Sequence, residues 1–192
     1  MIRTTGILSA LLALLGLPSV SHAAPRAARS GERVLVDRAL GADRLQLVRK
    51  SNGTRVLRRR TRAGTSRDLV CGALTGAWGL WVTDVNGDRR PDLVIALRKR
   101  ARYDPVVENR PHVYRLVGDR CVPLWRGTRL SGRFEKLAAR GSRLWALERE
   151  GRGRRRVARY RWRGFGYAVE RVLWRGLTVP RRWKRFFRRS RR

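Results

Sequence analysis

"VYRLVGDRCVPLWRGTRL" (residues 113–130) and "ARYRWRGFGYAVERVLWRGL" (158–177) follow one order: an alternating strand, a glycine turn, a second strand, then Leu-Trp-Arg-Gly. The Trp-Arg-Gly triplets start at 125 and 174, forty-nine residues apart. Before them lie two further strand-like runs, "DLVIAL" at 92–97 and "RLWALE" at 143–148, fifty-one residues apart. A period of about 40 to 50 residues with four short strands per unit is the pattern of propeller blades. Residues 33–179 have room for about three units, whereas a closed propeller typically needs four or more. The expectation is an all-β chain of about three propeller-blade-like, four-stranded antiparallel units forming an open or partial β-propeller. A distorted small barrel or a β-sandwich built from the same hairpins is the alternative, and self-association is one way to complete the fold.

The rest of the chain fits around that block. "RLQLVR" and "TRVLRRR" flank Ser51-Asn52-Gly53, and Asn-Gly between alternating runs signals a hairpin because both turn positions tolerate positive φ. Residues 1–23 have the form of a secretory signal: a basic start at Arg3, an apolar run from Ile7 to Leu17, then Pro18 and the small residues Ser21 and Ala23. Residues 24–32 read as a flexible lead-in, 33–179 as the β-repeat domain and 180–192 as a basic aromatic tail. Export, periplasmic or secreted, puts Cys71 and Cys121 where a lone pair of cysteines forms a disulfide.

The formal net charge is +33, and arginine outnumbers lysine 43 to 4. Such a chain attracts polyanions. Outside the cytoplasm these are lipopolysaccharide, anionic lipid headgroups and acidic polysaccharide, and export argues against nucleic acid. Against this background, "TDVNGDRRPDLVIAL" (83–97) places three of fourteen acidic residues within nine positions. Side-chain oxygens fall at loop positions 1, 3, 5 and 9, namely Asp84, Asn86, Asp88 and Asp92, and Arg90 at position 7 offers its carbonyl. That spacing suits a hard cation such as calcium, with Gly87 allowing the sharp turn. A tight turn with solvated aspartates is the competing explanation. The loop departs from an EF-hand, since Ile95 stands where a bidentate glutamate belongs.

Asp-x-Asn-Gly-Asp-x-x-Pro-Asp-Leu followed by an apolar strand resembles the calcium loop of FG-GAP (VCBS-type) repeats, the blades of integrin-α-like β-propellers. The resemblance implies a structural Ca2+ held by Asp84, Asn86, Asp88, Asp92 and the Arg90 carbonyl, in an exported binding or structural module whose partner is a protein or polysaccharide. It is specific over 80–97 and general over 33–179. "LAARGSRLWALE" (137–148) keeps the strand without the acidic insert, so one site is expected.

Catalytic options are thin. His112 is the one histidine after the signal and reads as a surface residue at a strand start, with no nucleophile beside it. Asp104, Glu108, Glu135 and Glu148 are the carboxylates available for glycoside hydrolysis, with nothing to place two at a working separation. "DPVVENRP" (104–111) reads as a long hairpin loop, and the seven tryptophans read as hairpin and core packing. In the tail, Trp183, Phe186 and Phe187 stand at i, i+3 and i+4, one aromatic helical face within a collar of Arg181, Arg182, Lys184, Arg185, Arg188 and Arg189. Such a segment suits an anionic membrane interface or lipopolysaccharide, and a frayed tail is the alternative.

Overall fold

The computed structural model describes residues 31–127 and 130–190, so the signal-like segment and most of the lead-in lie outside the described residues. Twelve strands form three four-stranded sheets, each an antiparallel meander. The first holds β1 (Arg33–Leu40), β2 (Asp43–Arg49), β3 (Arg55–Arg60) and the short β4 (Ser66–Asp68). The second holds β5 (Ala77–Thr83), β6 (Asp92–Ala101), β7 (Asp104–Val117) and β8 (Arg120–Arg126). The third holds β9 (Arg133–Arg140), β10 (Arg143–Arg149), β11 (Arg155–Trp162) and β12 (Tyr167–Gly176), and one helix, α1 (Arg181–Arg189), follows. The fold is therefore all-β with three blade-like units that do not close into a ring.

The repeated motif falls on equivalent places. "DLVIAL" and "RLWALE" are the second strands of their sheets, and both Leu-Trp-Arg-Gly segments end the fourth strands. Packing explains the Trp-x-Gly spacing. Residues two apart share a face of a strand, and a Cβ on Gly127 would sit 2.5 Å from the Trp125 ring, one on Gly176 2.7 Å from the Trp174 ring. Each indole lies over a glycine because no other residue leaves room.

The sheets stack face to face, and β6 shows why its sequence is continuously apolar. Leu93, Ile95 and Leu97 join Leu45, Leu47 and Leu57 of the first sheet, while Val94 and Ala96 join Phe134, Leu144 and Ala146 of the third. Both faces of the middle sheet are covered, so alternation disappears. The first strands of the units adjoin, β1 against β5 and β5 against β9. The link between the first two sheets is fastened twice: Cys71 is disulfide-bonded to Cys121 of β8, and the Val70 and Cys121 amides donate to Asp119 and Val70 at 2.9 Å.

Each end of the stack has its own cover, as terminal repeats of a quasi-linear array require. On the first sheet the cover is polar: Arg44 and Gln46 reach Asp37 at 2.9 and 3.2 Å, and Arg58 joins Glu32 and Asp68 at 2.6 and 2.7 Å. On the third sheet it is α1. Phe187 is buried among Ala138, Leu147 and Val157, with Trp183, Phe186, Trp145 and Trp174 around it. The far end of the helix meets the other two sheets, where the Ser190 carbonyl accepts from Trp81 Nε1 (2.9 Å) and Arg38 Nη2 (3.3 Å). A helix of nine residues is marginal alone, and these contacts hold it.

Two expectations are corrected. Residues 104–111 are strand, the first half of β7. Their polarity resembles a loop's, but its charges are paired internally: the wholly buried Arg110 pairs with Asp104 (3.0 Å) and Glu108 (3.5 Å) and donates to the Lys99 and Val106 carbonyls at 2.9 and 2.8 Å. His112 is buried rather than on the surface, its Nδ1 3.1 Å from the Tyr114 hydroxyl.

Candidate functional site

The acidic loop spans 84–91 and joins β5 to β6, anchored by the buried Val85. Asp84 folds the turn: Oδ1 accepts from the Gly87 amide (2.7 Å) and Oδ2 from the Arg89 amide (2.8 Å). Gly87 has φ +83°, which glycine adopts freely, and Arg89 follows at +64°. Asn86 Oδ1 accepts from the Asp88 amide at 3.3 Å, and Asp88 Oδ1 accepts from the Arg90 amide at 2.9 Å. Asp92, the first residue of β6, is wholly buried and its Oδ2 accepts from the Val85 amide at 3.1 Å.

The remaining carboxylate oxygens face a residue the sequence did not single out. Arg115 of β7 stands opposite Asp92 in the strand register. Its Nη2 lies 2.5 Å from Asp88 Oδ2 and its Nε 3.5 Å from Asp92 Oδ1. The two carboxylates respond differently to one guanidinium. The Arg90 amide, with Asn86 and Arg115, holds Asp88 below the usual carboxylate range. Burial pushes Asp92 up, against the pull of the Val85 amide and Arg115. Asp92 Oδ1 has no hydrogen bond.

Most of the loop's carboxylate oxygens are engaged within the chain. Among the described residues no three acidic, histidine or cysteine groups converge as metal ligands, both Asp84 oxygens serve backbone amides, and Arg115 is already placed between Asp88 and Asp92. The loop has its positive charge from within the chain.

The carboxylates weighed for catalysis are also engaged. Asp104 pairs with Arg110, and Glu108 with Arg133 and Arg110. Glu135 bonds Arg149 and, at 3.1 Å, Arg155. Glu148 is wholly buried, bonded to Arg156 at 2.7 Å and to the Tyr160 hydroxyl, which meets Ser131 Oγ at 2.6 Å. Burial, with Lys99, Arg126 and Arg110 nearby, pushes His112 down to about 4. Because its folded pKa lies below the ordinary value near 6.5, His112 contributes stability that is full above pH 6.5 and is lost as pH falls toward 4, on the order of 3 kcal/mol. Urea unfolding of wild type and His112→Gln across that window checks this: the variant should lose most of the slope.

The tail residues divide by face. Trp183, Phe186 and Phe187 turn onto the third sheet, Phe187 being 1% exposed. Arg181, Arg182, Lys184, Arg185, Arg188 and Arg189 are all exposed. Among the described residues no carboxylate pairs with them. The aromatic face offered to a membrane interface by the sequence is thus covered by the protein itself, and the cationic collar is what reaches solvent. No helix among the described residues is long and apolar enough to cross a membrane. No protein-family model matches the chain, and no curated protein matches its sequence.

Proposed function

We propose that this protein is an exported, non-catalytic β-blade module that binds surfaces bearing phosphate headgroups, of anionic phospholipid or lipopolysaccharide, through the cationic face of α1. The observation that carries this reading is the division of the helix: its aromatic side packs on the third sheet while six cations stand exposed with no acidic partner among the described residues. A docked helix loses little further entropy on meeting a surface, and each Lys or Arg near an anionic bilayer contributes about 1 kcal/mol. Co-sedimentation of the oxidised protein with vesicles tests it. Pelleting with phosphatidylglycerol-containing or lipopolysaccharide-containing vesicles and not with phosphatidylcholine alone supports the reading, and equal behaviour with all three refutes it.

The acidic loop favours a second reading, calcium binding in the manner of FG-GAP repeats. Asp92 is a buried carboxylate with one oxygen lacking a hydrogen bond, and Asp88 faces the same guanidinium, so a cation that displaced Arg115 would find two carboxylates side by side. The loop joins two neighbouring strands of one unit. Melting in calcium and in EDTA decides between them. A midpoint raised by calcium, and no longer raised in Asp88→Ala, supports the metal. An unchanged midpoint leaves Arg115 as the loop's cation.

A further inference from the structure

Between α1, the linker 177–179 that leads into it, and the outer face of the third sheet lies a groove of about 900 Å³. That volume is at the upper end of the range for small-molecule sites. Its apolar floor is formed by Leu147, Phe187, Val179 and Leu177, the last 67% exposed. Around them stand Lys136, Arg155, Arg181, Lys184, Arg185 and Arg188. The acidic residue of the lining, Glu135, is already bonded to Arg149 and Arg155. Arg155 also donates to the Leu177 carbonyl at 3.4 Å, tying the linker across the groove.

Six cations against one engaged carboxylate call for an anion. A purely hydrophilic anion would leave Leu177 and Val179 facing water, and a neutral lipid would leave the cations without countercharge. Guanidinium forks match phosphate oxygens in pairs. We infer that the groove binds a single-chain amphiphile with a net-anionic phosphate headgroup, its acyl chain along Leu177, Val179 and Leu147 and its phosphate among the arginines and lysines of α1 and β11. This rests on the anionic-surface reading and narrows it from a surface to one lipid molecule.

Calorimetric titration of the oxidised full chain with lauroyl lysophosphatidic acid below its micelle concentration is the test, alongside glycerol phosphate and lauroyl lysophosphatidylcholine. Saturable one-site binding is expected, tighter than glycerol phosphate by about tenfold or more because each buried methylene contributes a factor of about four, and tighter than lysophosphatidylcholine because its choline cation neutralises the phosphate that the groove's cations would pair. Leu177→Glu, an exposed position whose melting point should not move, should lower that affinity by about tenfold. Glycerol phosphate binding equally well, no binding below the micelle concentration, or a Leu177→Glu chain with unchanged affinity would each overturn the groove. If anionic vesicles still pellet the protein in such a case, the surface reading survives alone; if they do not, both fall together.

Discussion

Replacing Arg181, Lys184, Arg185 and Arg188 together by glutamine is expected to lower affinity for phosphatidylglycerol-containing vesicles roughly a thousandfold. The size follows from about 1 kcal/mol per cation near an anionic bilayer, hence about 4 kcal/mol for four, with each 1.4 kcal/mol worth a factor of ten. The fold should survive, since these side chains are exposed and carry no ion pair among the described residues, and surface changes of this kind cost about 0.5 kcal/mol or less each. Co-sedimentation against lipid concentration gives the affinity, and a thermal melt of the same sample gives the stability. A loss of less than about tenfold would place binding on the arginines of the sheets instead, for the chain remains strongly cationic without these four.

Phe187→Ala should act on the other quantity. The ring is buried against Ala138, Leu147 and Val157 and meets Phe186 edge-on with centroids 5.2 Å apart. Truncating a buried phenylalanine costs about 3–5 kcal/mol through lost transfer energy and the cavity left behind, which for a chain of this size lowers the melting midpoint by roughly 10 °C. Denaturant unfolding followed by tryptophan fluorescence reads it directly. If the aromatic face served a membrane instead of the third sheet, the same substitution would leave stability unchanged and reduce vesicle binding.

Both predictions turn on a feature half visible in the sequence. The spacing of Trp183, Phe186 and Phe187 shows that α1 has an apolar face, and periodicity tells nothing of what covers it. The covering residues, Ala138, Leu147 and Val157, lie tens of residues upstream on the face of β9–β11 turned away from the second sheet. The same limit applies to Arg115. Asp84, Asn86, Asp88 and Asp92 stand out by spacing, but their counterion comes from β7 and is identifiable only once Asp92 and Arg115 are known to be opposite each other.

The architecture was more legible because its signals are local. The Asn52-Gly53 hairpin, the glycine turns and the two Leu-Trp-Arg-Gly segments each act within a few residues, and together they give the three units. What misled was buried polarity. Pro105, Glu108, Asn109 and Arg110 make 104–111 look like a loop, whereas Arg110 pairs with Asp104 and Glu108 and lets the strand turn buried from Arg110 onward. His112 follows the same pattern, sheltered beside Tyr114.

Hydrogen exchange of the α1 amides, with and without anionic vesicles, shows whether the helix is docked on the third sheet before it meets a surface. Amides from Lys184 to Ser190 should be protected in the free protein and change little when vesicles bind, because the helix meets the surface already docked. Exchange at unfolded rates in the free protein, with protection only on vesicles, would contradict it and return the aromatic face to the membrane.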